Sequence, residues 1–221
     1  MPERCLLYYI TDRTQFPGNE GARRRALLDR IAEVARAGVH YVQLREKNLT
    51  GCELEILARE TLRVIRENSA LRTENREPGT RLLTNSRTDI ALAVGADGVH
   101  LRGEDISPVD VRCIWRDGGG GSSRGRPVIA ISCHTRDDVT RAESQGADLA
   151  VFAPVFEKRG VSPAGVTVLR EACQAEIPVL ALGGVTVENA RACLETGARG
   201  IAGIRLFQEN EVEAVVRALR G

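Results

Sequence analysis

The 221-residue chain has few aromatic residues, no excess of either charge and no long apolar segment. Aromatic residues make up 4%, and 31 Lys and Arg residues balance 30 Asp and Glu residues. A chain that lacks both a basic face and stacking aromatics is a poor candidate for a nucleic-acid partner. The apolar run after Met-Pro-Glu-Arg is too short for a signal peptide or a membrane span. We therefore expect a cytoplasmic globular protein that binds neither nucleic acid nor membrane.

The six cysteines are scattered along the chain, without a Cys-x-x-Cys pair and without a cluster of histidines beside them. Such spacing is typical of free thiols in a reducing compartment. Motifs of the G-x-S-x-G, P-loop and metal-spaced His/Cys types are also missing from the sequence. The cysteines therefore predict no metal site.

What the sequence does contain is an internal repeat. Four segments join a helical pattern to a short apolar strand through Gly or Gly-Ala, at 37–45, 95–102, 146–153 and 197–204. Further strands are predicted between them, at 6–11, 81–85, 128–132 and 179–183, and each strand is followed by a helical pattern. Ser107, followed by Pro108, and Thr186 are predicted to cap two of these helices. Eight strand–helix units predict a single (β/α)₈ TIM barrel over residues 1–221. An open, doubly wound sheet is the alternative.

Two stretches interrupt this rhythm. Residues 68–80 are polar with Pro and Gly, and 118–126 consist mostly of Gly, Ser and Arg. Each precedes a strand, so in a barrel both would lie at the bottom face, away from the chemistry. We interpret them as flexible insertions rather than phosphate loops, because a phosphate loop leads into a helix.

The carboxyl ends of the strands carry the candidate site, because barrel active sites form there. The period of two puts Gln43, Arg45 and Lys47 on one face at the end of the second strand. Glycines 183, 184 and 203 follow the seventh and eighth strands. Cations near bare backbone N–H groups predict a phosphorylated ligand. The alternatives are a solvated Arg-Glu-Lys run and glycines that only relieve crowding.

The fifth strand ends in Ser132-Cys133-His134. Ser132 and His134 are predicted to face inward, and a neutral imidazole suits general acid/base chemistry. The alternative for His134 is a loop residue at the start of the next helix. His100, on the fourth strand, is interpreted as a polar lining residue.

Eight motifs occur in order over nearly the whole chain: YYITDR, VQLREK, TNSRTDIALAVGADGVHL, GEDIS, ISCHTRDDV, GADLAVFAPVF, LALGGVTVENA and TGARGIAGI. Together they resemble the superfamily of thiamine phosphate synthase and TenI, the thiazole tautomerase. The resemblance implies a TIM barrel of thiamine biosynthesis that binds a thiazole phosphate. A monomer and a homo-oligomer both stay open.

The resemblance also implies roles for individual residues. A synthase joins a pyrimidine pyrophosphate to the thiazole phosphate with Mg²⁺, whereas the tautomerase moves a proton without metal. Substrate contacts are implied for Gln43, Arg45, Lys47, Asn85, Ser86, His100, Ser132 and Lys158. Phosphate contacts are implied for Gly183, Gly184, Gly203 and Ile204. Asp105 corresponds to a Mg²⁺ ligand if the chain is a synthase.

Of three departures from the family pattern, the first two favour the tautomerase, and the third leaves the phosphate contact of the eighth strand open in both branches. Ser86 replaces a metal-binding Asp of synthases, the loop 156–162 lacks their pyrophosphate-binding threonines, and Ile204-Arg205 replaces a serine-containing pair of both branches. We therefore expect a thiazole tautomerase without a metal cofactor, with His134 as general acid/base and Arg45 holding the substrate carboxylate. A synthase with an altered Mg²⁺ site, a non-catalytic ligand-binding or regulatory protein, and a phosphosugar-handling barrel are the alternatives.

Overall fold

The computed structural model describes residues 5–69, 79–118, 125–157 and 162–220. Eight parallel strands close into a barrel in which each strand pairs with the next along the chain and β1 pairs with β8. The strands are β1 Leu6–Ile10, β2 Tyr41–Leu44, β3 Arg81–Asn85, β4 Gly98–Leu101, β5 Val128–Cys133, β6 Leu149–Phe152, β7 Val179–Ala181 and β8 Gly200–Gly203. The predicted (β/α)₈ barrel is confirmed.

Helices connect consecutive strands on the outside of the barrel. They are α1 Glu20–Ala37, α2 Gly51–Ser69, α3 Thr88–Val94, α4 Pro108–Asp117, α5 Arg136–Ser144, α6 Gly165–Ala172, α7 Ala190–Leu194, α8 Arg205–Gln208 and α9 Val212–Arg220. The short α8 and a 3₁₀ turn at Arg13–Gln15 were not predicted, because a single turn has no apolar periodicity to detect.

Helix starts follow the predicted caps in one case and depart from them in another. Ser107 caps α4 by accepting a hydrogen bond from the N–H of Asp110, and Pro108 occupies the first turn. Thr186 was expected to cap α7, but that helix begins at Ala190. The N–H of Thr186 instead donates to Oδ1 of Asn189, which forms a turn before the helix.

Alternation along the strands separates two apolar clusters. Tyr8, Leu83, Ala130 and Val151 belong to a small cluster that fills the barrel interior. Their neighbours along the strands belong to the larger cluster between barrel and helices. Because side chains on a strand alternate, the interior face also carries polar residues. Next to the small apolar cluster, toward the carboxyl ends of the strands, these are Gln43, Asn85, His100 and Ser132.

The domain boundaries remain a proposal. All eight strands belong to one closed sheet, which is consistent with a single domain over 1–221. Most of the two predicted insertions, residues 70–78 and 119–124, lies outside the described residues. Within the described ranges, no helix is both long and apolar enough to cross a membrane.

Candidate active site

A chain of hydrogen bonds joins β2, β3 and the loop after β4 at the carboxyl end of the barrel. Gln43 Nε2 donates to Asn85 Oδ1 (2.8 Å), and Asn85 Nδ2 donates to Ser86 Oγ (3.2 Å). Ser86 Oγ donates to Asp105 Oδ2 at 2.6 Å. The structure thus brings together four of the predicted site positions, which lie up to 62 residues apart in the sequence.

Asp105 fixes the direction of that chain. A carboxylate only accepts hydrogen bonds, so the Ser86 hydroxyl must give its proton to Asp105 and accept from Asn85. The side-chain carbonyl oxygen of Asn85 then accepts a hydrogen bond from the side-chain amide N–H of Gln43. Gln43 Oε1 is left as a buried acceptor to which no group of the described residues donates. The site therefore contains a buried acceptor that a ligand with an N–H or O–H donor can satisfy.

Ser86 holds an uncommon backbone conformation at this point. Its φ is +59°, and within the described part of the chain it is the one non-glycine residue with positive φ. Its N–H donates to the His100 carbonyl at 2.8 Å, and its hydroxyl is bound by Asp105. Such left-handed residues cost of order 1 kcal/mol and cluster at functional sites.

The Asp105 carboxylate is surrounded by donors from this chain. Besides the Ser86 hydroxyl, Oδ2 accepts from the Arg102 backbone N–H (2.7 Å), and Oδ1 accepts from the Arg102 guanidinium (3.0 Å). Partial burial raises the pKa of Asp105, but the hydrogen bonds from Arg102 and Ser86 outweigh it and hold that pKa below its usual value. Asp105 is therefore a charged carboxylate that accepts hydrogen bonds at both oxygens.

A second hydrogen-bonded chain crosses the barrel interior. The Tyr8 hydroxyl contacts His100 Nδ1 at 2.7 Å, and His100 Nε2 contacts Ser132 Oγ at 2.8 Å. Burial, assisted by the Arg45 cation, lowers the pKa of His100 to about 3, so its ring is neutral. The buried Tyr8 hydroxyl donates its proton to Nδ1. The single proton of the neutral ring therefore lies on Nε2, which donates to Ser132 Oγ. The Ser132 hydroxyl proton then stays available for a ligand.

His100 is thus already committed on both ring nitrogens. The sequence placed it among the polar lining and substrate-contacting residues, and the structure puts its ring between two hydroxyls of the protein. Tyr8 was missed by the sequence interpretation. Its signal was the alternation in YYITDR, which puts Tyr8 and Ile10 on the interior face of β1.

His134 lies apart from both chains. Its Nδ1 is 2.7 Å from the Ala153 carbonyl, which can only accept, so Nδ1 carries a proton and a neutral ring offers the Nε2 lone pair to solvent. The His134 backbone N–H donates to Asp138 Oδ2. The residue is exposed at the end of β5, as expected for a group that can reach a ligand.

Basic groups line the same edge. Arg45 is half-buried, and its guanidinium makes no hydrogen bond or ion pair with any described residue; its charge acts on His100 and Asp12. Lys47 is exposed. Arg87 points elsewhere, because it pairs with Asp89 and approaches Gly51 at the start of α2. Lys158 lies outside the described residues.

The predicted phosphate glycines are tightly packed. A Cβ added to Gly183 would approach Pro154 to 2.8 Å, and one added to Gly184 would approach Phe156 to 2.8 Å. Their φ values of +94° and +65° also require glycine. In the backbone hydrogen bonds of the described residues, both glycines act only as acceptors, through their carbonyl groups. The close approach of Pro154 and Phe156 therefore requires glycine at both positions, and the two backbone N–H groups are available to an anion.

The eighth strand leaves its end accessible. Ile204 is half-buried and precedes α8, and Arg205 is exposed instead of being packed into the barrel. Gly203 lies against Leu206, with 2.8 Å between an added Cβ and the leucine Cβ. Arg205, at the position for which the resemblance implies a serine, therefore offers no hydroxyl and does not block the mouth.

Sequence and structure comparisons identify the family. The family model described as thiamine monophosphate synthase (TMP-TENI) matches residues 7–207. A thiamine-phosphate synthase from Syntrophomonas wolfei is 37% identical over 221 residues, covering 97% of this chain and 94% of that relative. A thiamine-phosphate synthase from Chlorobium luteolum is 33% identical, covering 95% and 88%.

A solved structure agrees with these relatives. The thiamine phosphate pyrophosphorylase from Pyrococcus furiosus superimposes with a TM-score of 0.75 and 26% identity, over 99% of this chain and 98% of that one. The family match runs from β1 to α8 and includes every strand end described above. The chain therefore belongs to the thiamine monophosphate synthase (TMP-TENI) family of thiamine-biosynthesis enzymes.

Proposed function

We propose that the protein is a transferase that joins an aminopyrimidine pyrophosphate to a thiazole phosphate and releases pyrophosphate. The sequence alone favoured the tautomerase; the named relatives support the transferase alternative better. The observation that carries the proposal is the buried acceptor Gln43 Oε1 beside the unpaired Arg45. It favours a ligand that bears both an amino donor and an anion.

An aminopyrimidine pyrophosphate has both features. Its amino group would donate to Gln43 Oε1, and Arg45 and Lys47 would face its pyrophosphate. The Ser132 hydroxyl, oriented by His100, would donate to the same substrate. A thiazole carboxylate phosphate has the anions but no amino group, so it would leave the Gln43 acceptor unsatisfied at a cost of about 1–3 kcal/mol.

The thiazole phosphate would bind on the other side of the mouth. Gly183, Gly184, Gly203 and Ile204 would offer backbone N–H groups to its phosphate. Asn85 and Ser86 would act through Gln43 rather than on the substrate directly. Within this proposal, binding side by side places the two rings for reaction, and the basic edge stabilises the departing pyrophosphate.

The test is a two-substrate assay on the whole protein. It is incubated with aminopyrimidine pyrophosphate and thiazole phosphate, with and without Mg²⁺, and thiamine phosphate and pyrophosphate are measured. We expect both products in equal amounts. Absence of product in both conditions, with the folded protein present, contradicts the transferase.

A variant pair makes the assay specific for Gln43. Gln43→Met keeps the volume and removes the acceptor, so kcat/KM for the pyrimidine substrate should fall by roughly 10- to 100-fold. Gln15→Met, on the 3₁₀ turn, is the matched control and should behave as the wild type. Equal kcat/KM in both variants would exclude the proposed amino contact.

The thiazole tautomerase is the second candidate, and the geometry of His134 favours it. With Nδ1 bound to Ala153, Nε2 is free to exchange a proton with a ligand. Turnover of the non-aromatic thiazole tautomer, lost in His134→Asn, would support the isomerase. Binding of thiazole phosphate without turnover of any substrate would support a ligand-binding or regulatory role.

A further inference from the structure

The position that distinguishes this chain from a metal-binding synthase is Ser86, and its partner is Asp105. The resemblance implies a Mg²⁺ between two carboxylates at these positions. Mg²⁺ requires near-octahedral oxygen ligands, with several of them free to coordinate. The fit can be judged from the donors that the chain presents here.

The described residues do not fit that ion. One carboxylate is present, and both its oxygens accept hydrogen bonds from Ser86 and Arg102. The Ser86 hydroxyl is committed as a donor to Asp105. Within the described ranges, no group of three or more His, Cys, Asp or Glu side chains is arranged for a metal. Glu104, the next acid in the sequence, is exposed.

A cation is nevertheless present at that point, and it belongs to the protein. Arg102 Nη2 lies 3.0 Å from Asp105 Oδ1, with the aspartate side chain 11% exposed and the arginine side chain 61% exposed. A guanidinium has five N–H donors in one plane. One edge of the group can therefore bind the carboxylate while the remaining N–H donors point outward. Arg102, Asp105 and Ser132 also line one cavity, of about 100 Å³.

The charges of the two arrangements are equal. Two aspartates with a doubly charged ion sum to zero, and so do a serine, an aspartate and a singly charged arginine. Replacing one carboxylate by a hydroxyl therefore needs one positive charge less. Arg102, held by both its backbone N–H and its side chain on Asp105, supplies that charge without a metal.

We propose that Arg102, anchored by Asp105, takes the place of the divalent cation and binds the pyrophosphate of the substrate directly. This inference rests on the proposed transferase. Arg102 then works with Arg45 and Lys47 on the same anion, and Asp105 and Ser86 position it. A planar guanidinium suits bidentate binding of phosphate oxygens.

Pyrophosphate titration in the presence of EDTA tests the role of Arg102. Calorimetry should show that the wild type binds pyrophosphate without metal. Arg102→Gln should weaken this affinity by about tenfold or more. Arg102→Lys should restore part of it. Arg191, whose side chain is exposed on α7, provides the control: Arg191→Gln should keep the wild-type affinity.

Manganese binding tests the same inference from the other side. The wild type should show no saturable Mn²⁺ binding by electron paramagnetic resonance at millimolar metal. Ser86→Asp, which restores the second carboxylate, should create a site, and Ser86→Asp with Arg102→Gln should tighten it further by removing the competing cation. The addition of Asp105→Asn should abolish it.

The outcomes separate this inference from the transferase itself. Saturable Mn²⁺ binding by the wild type that Asp105→Asn removes would overturn the inference, as would unchanged pyrophosphate affinity in Arg102→Gln; product formation would still establish the transferase. Metal-independent pyrophosphate binding through Arg102 without product would support the inference and overturn the transferase.

Discussion

Arg13 and Glu46 form a buried ion pair beneath the loops that follow β1 and β2. Arg13 Nη1 lies 3.0 Å from Glu46 Oε2, and each side chain is 3% exposed or less. Burial raises the pKa of Glu46, although hydrogen bonds from Thr11 and Arg13 oppose that effect. The alternative for the Arg-Glu-Lys run was a solvated charge cluster; in the structure Lys47 is exposed, Arg45 is half-buried and Glu46 is buried. Glu46 holds the loop that carries Arg45.

His100 makes the stability of the protein depend on pH. The folded pKa is about 3 and the ordinary value is 6.5, because burial opposes the charged ring. Below pH 6.5 the unfolded chain binds a proton that the folded chain does not take up until about pH 3. The free energy of unfolding therefore falls as the pH falls across this window.

We expect acidification from pH 6.5 to pH 5 to cost about 2 kcal/mol through His100, at about 1.4 kcal/mol per pH unit. Urea unfolding at several pH values measures this cost. His100→Gln should flatten the dependence, whereas Tyr8→Phe, which removes one hydrogen bond but keeps the imidazole, should retain it. The same slope in His100→Gln and the wild type would show that His100 is not the responsible group.

At the scale of elements, the repeat in the sequence is a repeated helix-to-strand joint. Gly95 and Gly146 end α3 and α5 in the left-handed conformation, with φ of +74° and +77°. The following Asp97 and Asp148 each exchange hydrogen bonds with the preceding strand: Asp97 with Leu82 and Asp148 with Ile129. The Gly-Ala-Asp motif therefore ends a helix and sets the register of two strands.

Removal of one such aspartate should loosen the joint. Asp97→Ala leaves the buried N–H of Leu82 without its 2.8 Å acceptor, and we expect a loss of about 1–2 kcal/mol of unfolding free energy. Asp97→Asn keeps a carbonyl oxygen there and should cost less. Chemical denaturation of both variants measures the difference, and equal losses would mean that the charge, not the hydrogen bond, matters.

At the scale of the whole molecule, closure of the barrel depends on contact between its first and last strands. Gly200 on β8 pairs with Leu6 on β1, and an added Cβ would lie 2.0 Å from the Leu6 carbonyl oxygen. Backbone atoms cannot move away without separating the strands. The glycine that begins β8 is therefore required for closure rather than for a turn.

Gly200→Ala should accordingly destabilise the protein by about 3 kcal/mol or more, or prevent folding. Gly95→Ala is the matched control, since its Cβ would meet nothing within 4 Å and only the φ of +74° is unfavourable. That change should cost about 1 kcal/mol. Circular dichroism and thermal unfolding compare the two, and similar losses would refute a special role for Gly200 in closure.

A closed sheet also supports the proposal of one domain, because β1 cannot leave without exposing β2 and β8. We expect one cooperative unfolding transition, with far-ultraviolet circular dichroism and the fluorescence of buried Trp115 changing together. Two separated transitions would indicate independently folding parts.

The amino-acid sequence by itself determined the barrel and the edge at which the site lies. Apolar alternation, helix-ending glycines and the repeated helix-to-strand segments are local signals, and each strand end carries its polar residues directly after the apolar run. Those local signals do not predict side-chain contacts between strands that are far apart in the sequence. The orientation of Gln43, the neutral His100 bound to Tyr8, and the Arg102 guanidinium on Asp105 arise only when the strands close. Tertiary structure decided them because hydrogen-bond direction and desolvation depend on which residues become neighbours in space.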